Sequence, residues 1–190
     1  MFVNNIPGWL HDLEALILFK LTRPYNYQGS IGIEVGSLHG KSSSIMAQSI
    51  PLGTLYCIDI WDNTDSCDFT ISEEIIENRN FPRKGMKNSL DFFKQSTKDF
   101  TNIKTIQGSS PECVQDWKQP VDFVFLDATH NNPNDRDNID FWLPRIKKGG
   151  KFIGHDLNSN YPDVQENVKY LETLLNQKTF KVLSLWSFKV

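Results

Sequence analysis

IGIEVGSLHGKSSS, Ile31 to Ser44, decides how the chain is read. Its opening apolar run predicts a buried strand closing on Glu34-Val35-Gly36. A tight turn with Gly36 and Gly40 follows, and Lys41 to Ser49 opens a helix. Strand, glycine turn and helix form a cradle for nucleotide-like ligands, because glycines let the backbone approach and the helix N-terminus offers unpaired N–H groups. A glycine pair alone is a weak signal, since any α/β protein needs small residues where a strand turns into a helix.

Downstream, Pro51 disfavours helix at Ile50, and TLYCIDI (Thr54 to Ile60) predicts a second strand closing on Asp59. Residues 62–82 form a polar insert with a short helix expected around Glu73 to Glu77 and the length of a lid. Leu90, Phe92 and Phe93 mark a helix within 85–100, ahead of a strand from Asn102 to Gln107. Ser110-Pro111-Glu112 reads as a helix start that Pro120 ends. Val121 to Asp127 is the most strongly apolar strand. A helix is expected over Asn138 to Lys148, with Ile139, Trp142, Leu143 and Ile146 on one face and Lys147 and Lys148 at its C-terminal end. Lys151 to Leu157 continues as a strand, Val164 to Gln177 as an amphipathic helix, and Phe180 to Val190 as one or two strands with a turn at Ser184 to Trp186. Upstream, Trp9, Leu10, Leu13, Leu16, Ile17 and Phe19 predict a helix over about residues 7–20, joined to the first strand by a turn-rich connector, Thr22 to Gly29. The alternation predicts an α/β fold: a doubly wound, mostly parallel Rossmann-like sheet of six to seven strands with helices on both faces.

The 190 residues suit one domain spanning 1–190. A net charge of −3, with no basic run longer than two residues, argues against a nucleic-acid partner. The sequence shows neither a signal-peptide pattern nor an apolar run long enough for a bilayer, so no membrane partner is expected. Cys57, Cys67 and Cys113 lack metal spacing and read as reduced thiols of a cytoplasmic protein.

In a doubly wound sheet, ligands bind beyond the carboxyl ends of the strands. Those ends carry Glu34, Gly36 and Ser37; Asp59 and Trp61; Gly108, Ser109 and Ser110; Asp127 with His130; and His155-Asp156. Asp59, about twenty residues past the glycine turn, suits the two hydroxyls of a ribose, and Trp61 suits either an adenine face or the core. His11 and His39 read as loop or solvent residues. A phosphate-binding NTPase is the rival reading, but Gly36 to Ser42 is one residue short of G-x-x-x-x-G-K-[ST] and leaves Asp59 without a role.

EVGSLHGKSS, IDIW, FKVLSLW, DFVFLDATH and RIKKGGKFIGHDL resemble class I S-adenosylmethionine-dependent methyltransferases. The likeness is nearest to the small metal-assisted O-methyltransferases, the catechol O-methyltransferase-like enzymes and the macrocin- and mycinamicin-type sugar methyltransferases. GWLHDLE (Gly8 to Glu14) is similar to the segment that precedes the fold in the latter group. The resemblance implies S-adenosylmethionine as cofactor, with Glu34, Gly36 and Ser37 along its methionine part, Gly40 in the turn, Ser42 near its carboxylate, Asp59 on the ribose and Ser109 by the adenine. It implies a divalent ion, Mg²⁺ or another, on Asp127, His155 and Asp156, with Asp127 also bordering the cofactor and His130 as general base. Lys41 needs no ligand contact in this reading. His155 stands where the relatives carry an acid, and Mg²⁺ prefers oxygen to imidazole. The imidazole leaves open a place behind the ligands, a preference for Mn²⁺ or Fe²⁺, or no metal. The implied reaction is metal-assisted O-methylation of a small-molecule or sugar hydroxyl; the alternatives are the NTPase and a non-catalytic S-adenosylmethionine-binding protein. The acceptor's identity and the oligomeric state, a homodimer among the options, are left open by the sequence.

Overall fold

A computed structural model describes residues 6–65 and 85–190. The expected helix at 73–77 and the insert from residue 66 onward lie outside the described residues. The elements are α1 (Asp12–Thr22), β1 (Ile31–Val35), α2 (Lys41–Ser49), β2 (Thr54–Asp59), α3 (Leu90–Thr97) and β3 (Ile103–Gln107), followed by β4 (Val121–Leu126), α4 (Asn134–Trp142), β5 (Ile146–Gly154), α5 (Pro162–Leu175), β6 (Phe180–Val182) and β7 (Leu185–Lys189). They build one seven-stranded sheet in the order β3-β2-β1-β4-β5-β7-β6. Strands β1 to β5 run parallel, β7 is antiparallel to β5, and β6 is antiparallel to β7.

The sheet is covered on both faces, so the central strands are apolar at consecutive positions rather than alternating ones. In β4, Val124 and Leu126 pack with Trp142, Val168 and Leu171 of α4 and α5, while Phe123 and Phe125 pack with Leu18, Ile45, Met46 and Phe93 of α1, α2 and α3. The exception is Asp122, 2% exposed. Its carboxylate accepts from Ile31 N at 2.7 Å, Lys147 Nζ at 2.9 Å and the Tyr27 hydroxyl, which satisfies a buried charge at the start of the strand.

Three local expectations change. The helix expected over Asn138 to Lys148 begins at Asn134 and ends at Trp142, because Pro144 has no N–H to continue the i→i−4 ladder; a 3₁₀ turn, Leu143–Arg145, follows. Lys147 therefore lies in β5 and pairs with Asp122 instead of facing a helix C-terminus. Ser110-Pro111-Glu112 opens only a 3₁₀ turn, Glu112–Val114. The final turn falls at Leu183 and Ser184, and Trp186 is a buried residue of β7. At the N-terminus, α1 is capped by His11, whose Nδ1 accepts from Leu13 N at 3.2 Å while Glu14 Oε2 accepts from His11 N at 3.0 Å. Among the described residues no helix is long and apolar enough to cross a membrane.

Candidate active site

The carboxyl ends of β1 to β5 open onto one cavity of about 310 Å³. Its wall includes Gly36, Ser37 and Ser42 after β1, Asp59 after β2, Ser109 after β3, and Asp127, His130 and Asp156 after β4 and β5. Pro7 to Leu10 run along its rim as an N-terminal strap. The strand order places β1 and β4 side by side at the centre, and their exits nearly touch. A Cβ on Gly36, where φ is +87°, would lie 1.9 Å from the Asp127 carbonyl oxygen, so only glycine fits.

Asp59 braces the glycine turn. Its Oδ2 accepts from Ser37 N and Leu38 N, both at 2.8 Å. Its Oδ1 accepts from Trp61 N at 3.1 Å and Asn88 Nδ2 at 2.9 Å. The opposite end of the Asn88 amide is an orphan: Oδ1 is buried and has no hydrogen-bond partner among the described residues. Asn88 lines the cavity, so a carboxylate and an unpaired amide oxygen sit together on its wall. Sequence reasoning missed Asn88, since a lone Asn after a polar insert carries no pattern.

Four expected contacts fall elsewhere. Glu34 lies on the sheet face covered by α2, wholly buried beneath the turn. It accepts from Ser37 Oγ at 2.8 Å, Ser42 Oγ at 2.5 Å and Ser43 Oγ. Burial pushes its carboxyl up to about 7 against those three hydroxyls. It positions serines instead of lining the cavity. Gly40, with φ +91°, caps α2 and backs onto α3, where a Cβ would meet Thr97 Cγ2 at 2.6 Å. Trp61 is 1% exposed, packs on Phe93 and donates Nε1–H to Leu38 O at 3.0 Å, which makes it core. His39 is also buried, with Nε2 3.1 Å from Lys87 O and its ring against Phe92.

His155 is the fourth. It is 4% exposed, with Nε2 3.1 Å from Glu14 Oε2 and Nδ1 3.2 Å from Asp156 Oδ2 and 3.6 Å from Asp127 Oδ1. Burial alone would lower its pKa, but the carboxylates of Asp127, Asp156 and Glu14 raise it well above the usual imidazole value. Both ring nitrogens face carboxylates, an arrangement that favours the protonated ring over a lone pair offered to a metal. In turn, burial raises the Asp127 carboxyl less than the His155 and His130 charges lower it. His130 does face the cavity, with Nε2 3.2 Å from Asp156 Oδ2 and 4.0 Å from Asp127 Oδ1. Asp127, His130 and Asp156 each offer a donor atom, and these atoms lie within 4.8 Å of one another. His130 and Asp156 both hold left-handed backbone conformations, φ +58° and +57°. Such non-glycine conformations cost on the order of 1–3 kcal/mol each and concentrate at functional sites.

Fold and cavity together define a Rossmann-like enzyme of the doubly wound class, with its ligand crevice at the exits of β1 and β4. Residues 33–157 match the methyltransferase domain family. The chain belongs to this family and is a methyltransferase. Solved structures share the fold at low identity. Cofactor-bound Rv0187 from MTB matches with a TM-score of 0.68 at 11% identity, over 98% of this chain and 84% of that one. Precorrin-6y C5,15-methyltransferase from Geobacter metallireducens GS-15 gives 0.64 at 12%, over 94% and 89%. The O-methyltransferase TomG from Streptomyces achromogenes, involved in tomaymycin synthesis and solved in complex with SAM, gives 0.63 at 14%, over 94% and 79%. The family match also removes the NTPase alternative.

Proposed function

We propose that this chain uses S-adenosylmethionine to methylate a hydroxyl of a small molecule or sugar. The observation that carries this reading is the convergence of Asp127, His130 and Asp156 at one end of a crevice whose other end holds Asp59 and the orphan Asn88 oxygen. Vicinal ribose hydroxyls are donors in search of acceptors, and the Asp59–Asn88 wall supplies them. The cofactor, when bound, supplies an electrophilic methyl group on a sulfonium.

The protein's own groups do the rest. Ser37 and Leu38 hold the turn against Asp59, fixing the floor of the crevice. His130 takes the acceptor's proton on Nδ1, its ring oriented by Nε2–H donating to Asp156 Oδ2. The buried His155 ring, with Nδ1 facing both carboxylates, holds Asp127 and Asp156 in place. The strap Pro7 to Leu10 limits water at the rim.

The donors Asp127, His130 and Asp156 also fit a divalent ion, and His130 takes the place expected for His155. Two carboxylates and an imidazole suit Mn²⁺, Fe²⁺ or Zn²⁺ better than Mg²⁺. An ion there would supply a Lewis acid that lowers the hydroxyl's pKa. Ligation and proton transfer both need the lone pair of His130, so the two uses exclude each other. Turnover that survives exhaustive chelation assigns His130 to the proton.

Calorimetry with S-adenosylhomocysteine tests the cofactor. Asp59→Ala is expected to weaken binding by about 1.5–3 kcal/mol, the scale of hydrogen bonds to a charged group, with the thermal melt still cooperative. An unchanged dissociation constant would remove Asp59 from the site.

A further inference from the structure

We propose that Lys41 is the counter-ion for the carboxylate of the bound methyl donor, and that its contact with Gly8 couples that carboxylate to the N-terminal strap. The inference rests on the cofactor reading above. Lys41 is 9% exposed and lines the cavity at the first turn of α2, beside Ser42 and under Gly8. Its ammonium makes one hydrogen bond among the described residues, to Gly8 O at 3.2 Å, so two of its three N–H groups have no assigned acceptor there. A buried cation with that little neutralisation is costly. Burial accordingly lowers the lysine's pKa, and Asp12 and Glu14 only partly oppose it.

The charge pattern of the cavity assigns the ligand. Asp59, Asp127 and Asp156 line the wall, and Lys41 is the only lysine or arginine among the described residues that does. A donor whose ribose meets Asp59 and Asn88, and whose methyl group faces Asp127, His130 and Asp156, has one arm left to place, the amino acid. Its carboxylate would be repelled from both aspartate ends. The remaining corner, Gly8–Lys41–Ser42, is cationic and lies at the N-terminus of a nine-residue helix, whose free N–H groups add to the attraction. Gly8 belongs to the same device. A Cβ there would approach Lys41 Cβ and Cδ to 3.0 Å, so glycine lets the strap rest on the lysine stem. The ammonium can keep its bond to Gly8 O while donating to a carboxylate, which ties the strap to the occupied site.

The test compares two ligands by calorimetry: S-adenosylhomocysteine, which carries the carboxylate, and 5′-methylthioadenosine, which lacks the amino-acid arm. Lys41→Met is expected to weaken S-adenosylhomocysteine about 10- to 100-fold, the scale of a charge-assisted hydrogen bond, and to leave 5′-methylthioadenosine within about two-fold. Lys41→Gln, which retains a neutral donor for Gly8 O, is expected to show the same selective loss. Equal losses for both ligands, or full affinity for S-adenosylhomocysteine in the Gln variant, would overturn the proposal. A wild-type protein that binds neither ligand would overturn the cofactor reading itself, a result distinct from either.

Discussion

His130→Ala is expected to lower methyl transfer by roughly two to four orders of magnitude while leaving S-adenosylhomocysteine affinity nearly unchanged. In the proposed reading the imidazole sits at the acceptor end of the crevice, its Nε2 3.2 Å from Asp156. Removing it deletes the group best placed to take a hydroxyl proton and touches nothing that binds the donor. The ring also packs on Tyr161, with centroids 4.7 Å apart, so a structural loss must be separated from a chemical one. A cooperative melt together with an intact binding isotherm makes that separation. The decisive measurement is single-turnover transfer to a hydroxyl acceptor in chelator. A variant with wild-type turnover would remove His130 from the chemistry. Loss of wild-type turnover on chelation, restored by Mn²⁺ or Fe²⁺, would move the imidazole from base to ligand.

Glu14→Ala is expected to destabilise the fold by about 3–5 kcal/mol, read as a fall in the urea midpoint, because it strips one partner from a buried ion pair. Glu14 is 2% exposed and joins three parts of the chain. Its Oε2 accepts from His11 N and pairs with His155 Nε2; its Oε1 accepts from Ser184 N, Ser184 Oγ and Leu185 N. Burial pushes this carboxyl up, but the hydrogen bond and charge of His155, with Ser184 and His11, bring it down to about 2. A carboxyl lowered on folding stabilises the native state above its unfolded pKa, and that stability is lost as pH falls through the folded value. The wild type is therefore expected to lose stability between about pH 4.5 and pH 2, and Glu14→Gln to show a shallower acid limb. Equal acid limbs in the two proteins would show that Glu14 does not contribute this dependence.

Glu14 also shows where legibility in the sequence ended. It sits on a predicted helix among apolar neighbours and looks like a solvated charge, because its partners His155, Ser184 and Leu185 are more than 140 residues away in the chain. Lys41 misled in a related way. It is the residue after a glycine turn, and nothing local says that the strap at Gly8 will bury it. Trp61 was ambiguous between core and ligand, and the packing of Phe93 decided for core. The helix expected through Lys148 is a different kind of miss. Pro144 was legible, and its missing N–H would have ended the α-helical ladder near the right place.

The sequence by itself determined the alternation of strands and helices, the glycine turn, and the chemistry gathered at the strand ends. These are periodic or short-range properties: consecutive apolar residues demand a sheet covered on both faces, and Gly36 is required where two strand exits meet. The tertiary structure decided which way each side chain faces. Glu34 and His155 both fall at strand ends as expected, yet Glu34 packs under α2 and His155 against Glu14 of α1. Serines hold the first and three carboxylates hold the second, while His130, in a left-handed turn, swings into the crevice instead. A one-residue step in a strand or a change of sign in φ moves a side chain from cavity to core, and long-range packing sets which one holds.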